Sequence, residues 1–377
     1  MAKRKILFTS HTANFSKFNR PLMRMLRGTL EEPYKELNMG GWQVDYASAN
    51  EEPVKDADNV YTIDFARSPL RFDKHIKAYR QLKKLINENH YDVIHTHTPV
   101  GSIVTRWAAK KARKHGTKVI YTCHGFHFYD GAPKKNWLIY YRAERQAAKF
   151  TDLLITINRE DYRRAKKDFE CPVEMIDGAG VDTARFAKTT KKEQTEAREK
   201  YGLAKDDFVI CYLAEFTKNK NQRMLVEAAA PLMKDNPKLK LLFLGEGPCM
   251  DEVKTLAKSL GVEKQCFFPG YIRDQYAALV QSCNLYTSLS IREGLGLGVL
   301  EALYCGLPII VTDNRGHRDI VDGNKKYLVS ATDAAALTKK LREAVRHPEE
   351  YKLAFPERYT LSNSLSEMKA IYEEILG

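Results

Sequence analysis

Two doubly wound, Rossmann-like α/β domains facing each other across a cleft are the architecture this sequence predicts, and three observations carry the prediction. The chain has 377 residues, about twice the length one hydrophobic core comfortably serves, so two domains of roughly 180 residues are expected. Short, nearly continuous apolar runs alternate with amphipathic helical stretches, which is the pattern of a parallel sheet covered on both faces. That alternation runs through the first half, breaks, and then restarts. In such sheets ligands bind beyond the carboxyl ends of the strands, so the cleft is the expected site.

The strands expected in the first half are Lys5–Ser10, Val44–Ser48, Asp92–His97, Lys118–His124, Asp152–Asn158 and Val173–Ile176, each rich in apolar and β-branched residues. Helical spacing recurs near Phe72–Asn89, Gly101–His115, Asn136–Lys149 and Glu160–Asp168. Leu30–Gly41 fits no regular element and is expected to be a loop insertion. The turn-rich Gly178–Asp182 and the strongly polar Lys188–Gln194 read as a linker, dividing the chain into 1–182 and 183–360. Beyond it, Phe208–Phe216, Leu239–Gly245, Phe267–Gly270, Asn284–Ser290 and Pro308–Thr312 are the expected strands, and helical stretches follow most of them. Ser362–Leu376 is expected to be a closing helix.

Composition removes several classes of function. With 44% hydrophobic and 29% charged residues the chain is neither disordered nor collagen-like. No apolar run approaches the roughly 18 to 20 residues that cross a bilayer. The start, Met1 to Ser10, lacks the apolar core and cleavage site of a signal peptide, so a cytoplasmic protein is expected. Seven cysteines with no Cys-x-x-Cys pair give neither a disulfide framework nor a zinc-finger spacing. The net charge of +13 is uneven: residues 1–182 hold 32 basic and 22 acidic side chains, and residues 183–377 hold 29 and 26.

The most informative stretch is Ser288-Leu-Ser-Ile-Arg-Glu293-Gly-Leu-Gly-Leu-Gly-Val-Leu-Glu301, continuing to Gly306-Leu-Pro308. A strand runs into a loop bearing Glu293, then into Gly294, Gly296 and Gly298, then into a helix carrying Glu301 about one turn in. Backbone N–H groups at a helix start, approached closely because Gly296 and Gly298 have no side chain, can cradle a diphosphate, with Leu297 between them. A carboxylate one turn in can accept both hydroxyls of a ribose. The glycines could equally serve helix–strand packing, and Glu301 could be a solvated helix residue.

Glu-x7-Glu with its intervening glycines, followed by Glu-Ala-Leu-x-Cys-Gly-Leu-Pro, resembles the signature of family 4 retaining glycosyltransferases of the GT-B fold. The resemblance extends to Asp92-Val-Ile-His-Thr-His-Thr-Pro99, Tyr121-Thr-Cys-His-Gly-Phe-His-Phe128, Thr151–Asn158, Gly180-Val-Asp182, Leu241–Gly247 and Thr312–Asp319. Together these are similar to the bacterial subgroup that builds exopolysaccharide and capsule repeat units. By resemblance, Glu293 contacts hydroxyls of the donor sugar, Glu301 the ribose, and main-chain groups near Tyr271 and Arg273 the uracil, with the Gly245-Glu-Gly247 loop close to the base. The resemblance also implies that residues 361–377 cross back onto the N-terminal, acceptor-binding domain, leaving 183–360 to hold the nucleotide sugar.

His124, at a strand end before Gly125, matches the family histidine beside the donor sugar and departing phosphate; a packed core histidine is the other reading. His95, His97, His124 and His127 could suggest a metal cluster, but the completing Cys or Asp ligands are missing nearby, so no metal and no separate cofactor are expected. Packing histidines at a cleft edge are the preferred reading for His95 and His97. Ala214-Glu215-Phe-Thr-Lys218-Asn-Lys220 aligns with the family's Gly-Arg-x(4)-Lys-Gly. Lys220 takes the phosphate lysine's place, and Glu215 stands where an arginine is usual, so either Lys218 or Arg223 supplies a second cation or none is needed. In the loop after the first strand, Asn14 and Ser16 are candidate acceptor or phosphate contacts, though Ser16 could simply cap a helix.

Residues 101–150 carry 11 basic and 2 acidic side chains. Arg106, Lys110, Lys111, Arg113, Lys114, Lys134, Lys135 and Lys149 lie among Trp107, Trp137, Leu138, Tyr140 and Tyr141, a mixture suited to an anionic membrane surface or to a plain solvated helix face. The expected function is therefore metal-independent, retaining transfer of a hexose or N-acetylhexosamine from a nucleotide diphosphate sugar, UDP-linked by resemblance, to a lipid-linked saccharide. A nucleotide-sugar epimerase of the same fold is the alternative among enzymes. A basic nucleic-acid-binding protein is the alternative outside them, disfavoured because no helix-turn-helix, RRM or KH signature is present.

Overall fold

The computed structural model describes residues 3–272 and 274–377. The chain divides into two compact units: the first runs to Gly180 and takes up Leu361–Gly377 from the end of the chain, and the second is Val181–Thr360. The break thus falls two residues before the expected boundary between 182 and 183. Lys191–Lys200 is a helix (α7 below) rather than linker, because Thr190 and Glu193 form a reciprocal capping box at its start.

In the first unit the elements are β1 (Lys5–Thr9), α1 (Ser16–Arg27), β2 (Gln43–Ser48), β3 (Asn59–Thr62), α2 (Phe72–Asn89), β4 (Val93–His97) and α3 (Pro99–Arg113). There follow β5 (Lys118–Cys123), α4 (Lys134–Asn136), a π-helical turn (Trp137–Tyr141), α5 (Arg142–Ala148), β6 (Leu153–Thr156), α6 (Arg159–Asp168) and β7 (Val173–Met175). The strands form one sheet in the order β3-β2-β1-β4-β5-β6-β7, all parallel. Central strands are apolar on both faces because helices cover both: Ile6, Leu7, Phe8, Val93, Ile94, Val119 and Ile120 have no exposed surface.

In the second unit, after α7 (Lys191–Lys200), come β8 (Phe208–Leu213), α8 (Gln222–Asp235), β9 (Leu239–Leu244), α9 (Met250–Ser259), β10 (Cys266–Gly270), α10 (Tyr276–Gln281) and β11 (Leu285–Ser288). The unit ends with α11 (Leu297–Tyr304), β12 (Ile309–Thr312), α12 (Arg315–Ile320), β13 (Leu328–Val329) and α13 (Ala334–Arg346). Its parallel sheet has the order β10-β9-β8-β11-β12-β13. The last helix, α14 (Leu361–Leu376), belongs to the first unit, where Leu365, Met368 and Tyr372 are buried.

Two expectations are corrected, and a third is refined. Ser16 is not a helix cap: it is the first residue of α1, the cap position is Phe15, and no side chain caps the helix. The 30–41 segment has no strand or α-helix, only the 3-10 turn Lys35–Leu37, and this loop is pinned to the unit. The Asn38 amide brackets Leu30, accepting from its N–H at 2.9 Å and donating to its carbonyl at 3.1 Å, and Leu30 and Tyr34 are buried. Arg106 is not a surface cation. It is 1% exposed, ion-paired with the equally buried Glu144 of α5, and stacked 4.2 Å from the Tyr121 ring centre, so it ties α3 to α5 inside the core. Of the remaining basic residues among 101–150, Lys110, Lys111, Lys114, Lys134, Lys135, Arg142, Arg145 and Lys149 are exposed, as are Trp107, Leu138 and Ile139, while Arg113 and Lys118 are half-buried. Trp137 and Tyr141, by contrast, pack on the buried Phe128.

Candidate active site

Parallel strands deliver their loops to one end of a sheet, and in the second unit two of these loops are zipped together. The Ile291 N–H donates to the Asn219 carbonyl at 2.8 Å, and the Asn219 side chain donates to the Arg292 carbonyl at 3.0 Å. Beneath them the buried Tyr212 hydroxyl donates to the Lys220 carbonyl and accepts the Leu289 N–H at 3.0 Å. The result fixes the Lys220 ammonium against the Glu293 carboxylate in a half-buried ion pair. Burial works against the charge on Glu293, but the Lys220 charge and hydrogen bond outweigh it and hold the carboxyl below its ordinary value of 4.5.

The glycines beside this pair are sterically required. Gly296, the cap residue of α11, has φ 107°, and a Cβ there would lie 3.0 Å from the His317 ring. A Cβ on Gly298 would lie 2.7 Å from the Tyr286 hydroxyl and 3.3 Å from the Leu213 carbonyl. The first turn of α11 therefore sits directly on the sheet; the Val299 N–H turns back to the Gly296 carbonyl at 3.0 Å, and the N–H groups of Leu297 and Gly298 are the ones that can meet an anion. His317 was not among the residues singled out from sequence. It is fully buried, its Nδ1 is 3.0 Å from the Thr312 carbonyl, and burial lowers it to about 4, so it is a neutral prop under Gly296.

Glu301, on the second turn of α11, accepts a 3.0 Å hydrogen bond from the Tyr276 hydroxyl. The Arg185 guanidinium lies 4.9 Å from the Tyr276 ring centre. Burial raises the Glu301 carboxyl above its ordinary value, with Tyr276 and Arg185 opposing. Neither Tyr276 nor Arg185 stood out in the sequence, since they lie far from Glu301 along the chain.

Glu215 is exposed, and its carbonyl accepts from the Gln222 amide at 3.0 Å. Arg223, half-exposed, is ion-paired with Glu227 at 2.9 Å and Glu252 at 3.3 Å. Lys218 is exposed. Arg315 is a further cation, 4% exposed, with its Nε 3.4 Å from the Glu293 carbonyl. Gly245 has φ 143°, and a Cβ there would strike the Ala214 carbonyl at 2.1 Å. Tyr271 is exposed at the end of β10, its N–H 3.4 Å from a Glu246 carboxylate oxygen, and Arg273 lies outside the described residues.

In the first unit the structure gathers three of the four candidate histidines. His95 Nδ1 is 2.7 Å from the Tyr372 hydroxyl of α14 and its Nε2 is 2.8 Å from Thr122 Oγ1. The His95 and His97 rings lie 4.4 Å apart, and His97 Nδ1 is 3.0 Å from His124 Nε2. Burial lowers His95 to about 3 and His124 to about 4. These nitrogens are engaged with one another and with hydroxyls. His127 is elsewhere, stacked 4.5 Å from Tyr140. Asn14 is exposed in the turn before α1 and Ser16 is half-buried. From this loop the Phe15 ring meets His124 edge-on, with ring centres 4.9 Å apart. Phe18, Pro21, Leu22, His97, His124 and Leu365 border a hollow of about 30 Å³.

A helix N-terminus seated on a parallel sheet beside a paired lysine and glutamate, with a second glutamate one turn in, defines the class of GT-B sugar transferases. Solved structures agree in fold over nearly the full length. A crystal structure of Anabaena HepE in complex with UDP and glucose superposes with a TM-score of 0.72 at 18% identity, covering 99% of this chain and 97% of that one. The glycosyltransferase WaaG, involved in lipopolysaccharide biosynthesis, superposes at 0.69 and 16%, covering 98% and 95%. Residues 193–355 match the family "Glycosyl transferases group 1" and residues 6–158 match "Glycosyl transferase 4-like". The chain is 42% identical to the Bacillus subtilis (strain 168) protein named "Putative glycosyltransferase EpsD", over 90% of its own length and 91% of the relative's. It is 30% identical to an Escherichia coli UDP-Gal:alpha-D-GlcNAc-diphosphoundecaprenol alpha-1,3-galactosyltransferase, over 66% of this chain and 64% of that one. The protein belongs to the family 4-like, group 1 glycosyltransferases and is a glycosyltransferase of the GT-B fold.

Proposed function

We propose that the enzyme transfers a hexose or N-acetylhexosamine, with retention and without a metal, from a UDP-sugar to a lipid-linked saccharide during exopolysaccharide or capsule assembly. The observation that carries this reading is the Lys220–Glu293 pair at the open N-terminus of α11. A diphosphate seated on the α11 N–H groups attracts Lys220, and Glu293 is then released to accept hydroxyls of the sugar. The same cation and helix dipole stabilise the charge that builds on the departing diphosphate. Glu301, oriented by Tyr276, accepts the ribose hydroxyls, and His124 bears on the sugar during transfer. The galactosyltransferase relative, named for a UDP-linked donor and a diphosphoundecaprenol-linked acceptor, supports this choice of substrates. The exposed lysines among 101–150, with Trp107, Leu138 and Ile139, dock the enzyme on an anionic membrane surface where such an acceptor resides.

A thermal-shift panel of UDP-, GDP- and ADP-sugars, followed by transfer assays with the wild type and Glu293→Ala, tests the reading. A UDP-sugar should raise the melting temperature, and Glu293→Ala should fold but turn over poorly. If no nucleotide sugar stabilises the protein, the site is misassigned. A sugar epimerised without acceptor would instead establish an epimerase. Sedimentation with liposomes should require anionic lipid.

A further inference from the structure

β4 and β5 pair with His97 opposite Thr122, so His124, two residues further on, emerges beside the end of β4. His97 Nδ1 and His124 Nε2 are then 3.0 Å apart. A hydrogen bond between two neutral imidazoles needs one N–H and one lone pair, so the direction of this bond decides where the second proton of the pair sits. Both rings are neutral at pH 7, because burial lowers His97 well below its ordinary value and His124 to about 4. The two ends of the pair differ. His97 is 1% exposed, its ring parallel to that of Phe8 at 6.0 Å and against that of His95 at 4.4 Å, and its Nε2 is buried with no partner among the described residues. His124 is only half-buried.

If His124 donated its Nε2–H, the proton of His97 would sit on that covered Nε2, leaving a buried N–H without an acceptor. If His97 donates, only a lone pair is left uncovered, which is the more tolerable of the two defects. We infer that His97 is a positioning residue that donates its Nδ1–H to His124 Nε2 and thereby fixes His124 with its own proton on Nδ1, as a neutral hydrogen-bond donor rather than a base. The inference rests on the reading that His124 contacts the reacting sugar, and it deepens it. His124 then offers an N–H to an oxygen of the donor, and no proton changes hands.

The test is a ¹⁵N spectrum of histidine-labelled full-length protein, in which ring-nitrogen shifts report the tautomer, with His124 assigned through His124→Gln. The wild type should show His124 protonated on Nδ1. His97→Asn, whose amide nitrogen takes the place of Nδ1, should keep that signature and keep turnover within about threefold, while His97→Leu should lose it. The loss in His97→Leu should fall on kcat, by on the order of tenfold to a hundredfold, with the donor KM little changed. A wild-type His124 protonated on Nε2, or an unchanged signature in His97→Leu, overturns the inference, and the wild-type spectrum decides it even if a variant fails to fold. Full activity in His124→Gln would instead overturn the placement of His124 at the sugar while leaving the tautomer result standing.

Discussion

Gly298 shows how little room the site leaves at single residues. Gly298→Ala would drive a methyl group toward the Tyr286 hydroxyl, so it should cost about 1–3 kcal/mol in calorimetric stability and weaken UDP-sugar binding in the same protein. Glu215→Arg, at an exposed position, should leave stability within about 0.5 kcal/mol, and a lower donor KM would show that the glutamate weakens donor binding. Four histidines of lowered pKa set a pH dependence. His95, His97, His124 and His317 all have folded values below the unfolded 6.5. Below pH 6.5 the unfolded chain binds protons that the folded chain refuses, so stability falls as pH drops from 6.5 toward about 4. The full slope per group is about 1.4 kcal/mol per pH unit. Denaturant titrations at pH 7, 6 and 5 should show this fall, and equal stabilities at the three pH values would contradict it.

At the scale of elements, the buried Arg106–Glu144 pair is the clearest case of one helix depending on another. Glu144→Ala leaves a guanidinium in the core without its carboxylate and should cost about 3–5 kcal/mol, read from chemical denaturation. Elements whose burial is written in their own composition were legible in the sequence: the apolar central strands and amphipathic α2 and α6 fall within a few residues of expectation. Edge elements were not. β3 is largely exposed and carries no apolar run, β13 has two residues, and α1 was hidden by Pro21 in its second turn. Arg106 read as a surface charge because composition does not tell which face of α3 it occupies. Within the candidate site, Glu293, Glu301 and the glycines were visible because they are neighbours in sequence. Tyr276 beneath Glu301, His317 beneath Gly296 and His97 against His124 were not, since each depends on strand register or on a distant loop.

For the whole molecule, the notable fact is that the first unit is built from both ends of the chain. The Tyr372 hydroxyl on α14 reaches His95 in the middle of the first sheet, and Ser364 donates to the Gly178 carbonyl at 2.6 Å. Ending the chain after Thr360 removes these bonds together with buried Leu365, Met368 and Ile371. Calorimetry of that truncation should show the transition of the first unit moved to lower temperature while that of the second unit, Val181–Thr360, stays in place. A single unchanged transition would mean that α14 is dispensable. The order of synthesis gives this arrangement a further consequence. A ribosome delivers the second unit whole before the first can close, because Leu361–Leu376, the segment that covers His95, follows it in the chain. Closure of the first unit thus waits on translation of α14, and a chain that ends before Leu361 keeps its histidine layer uncovered.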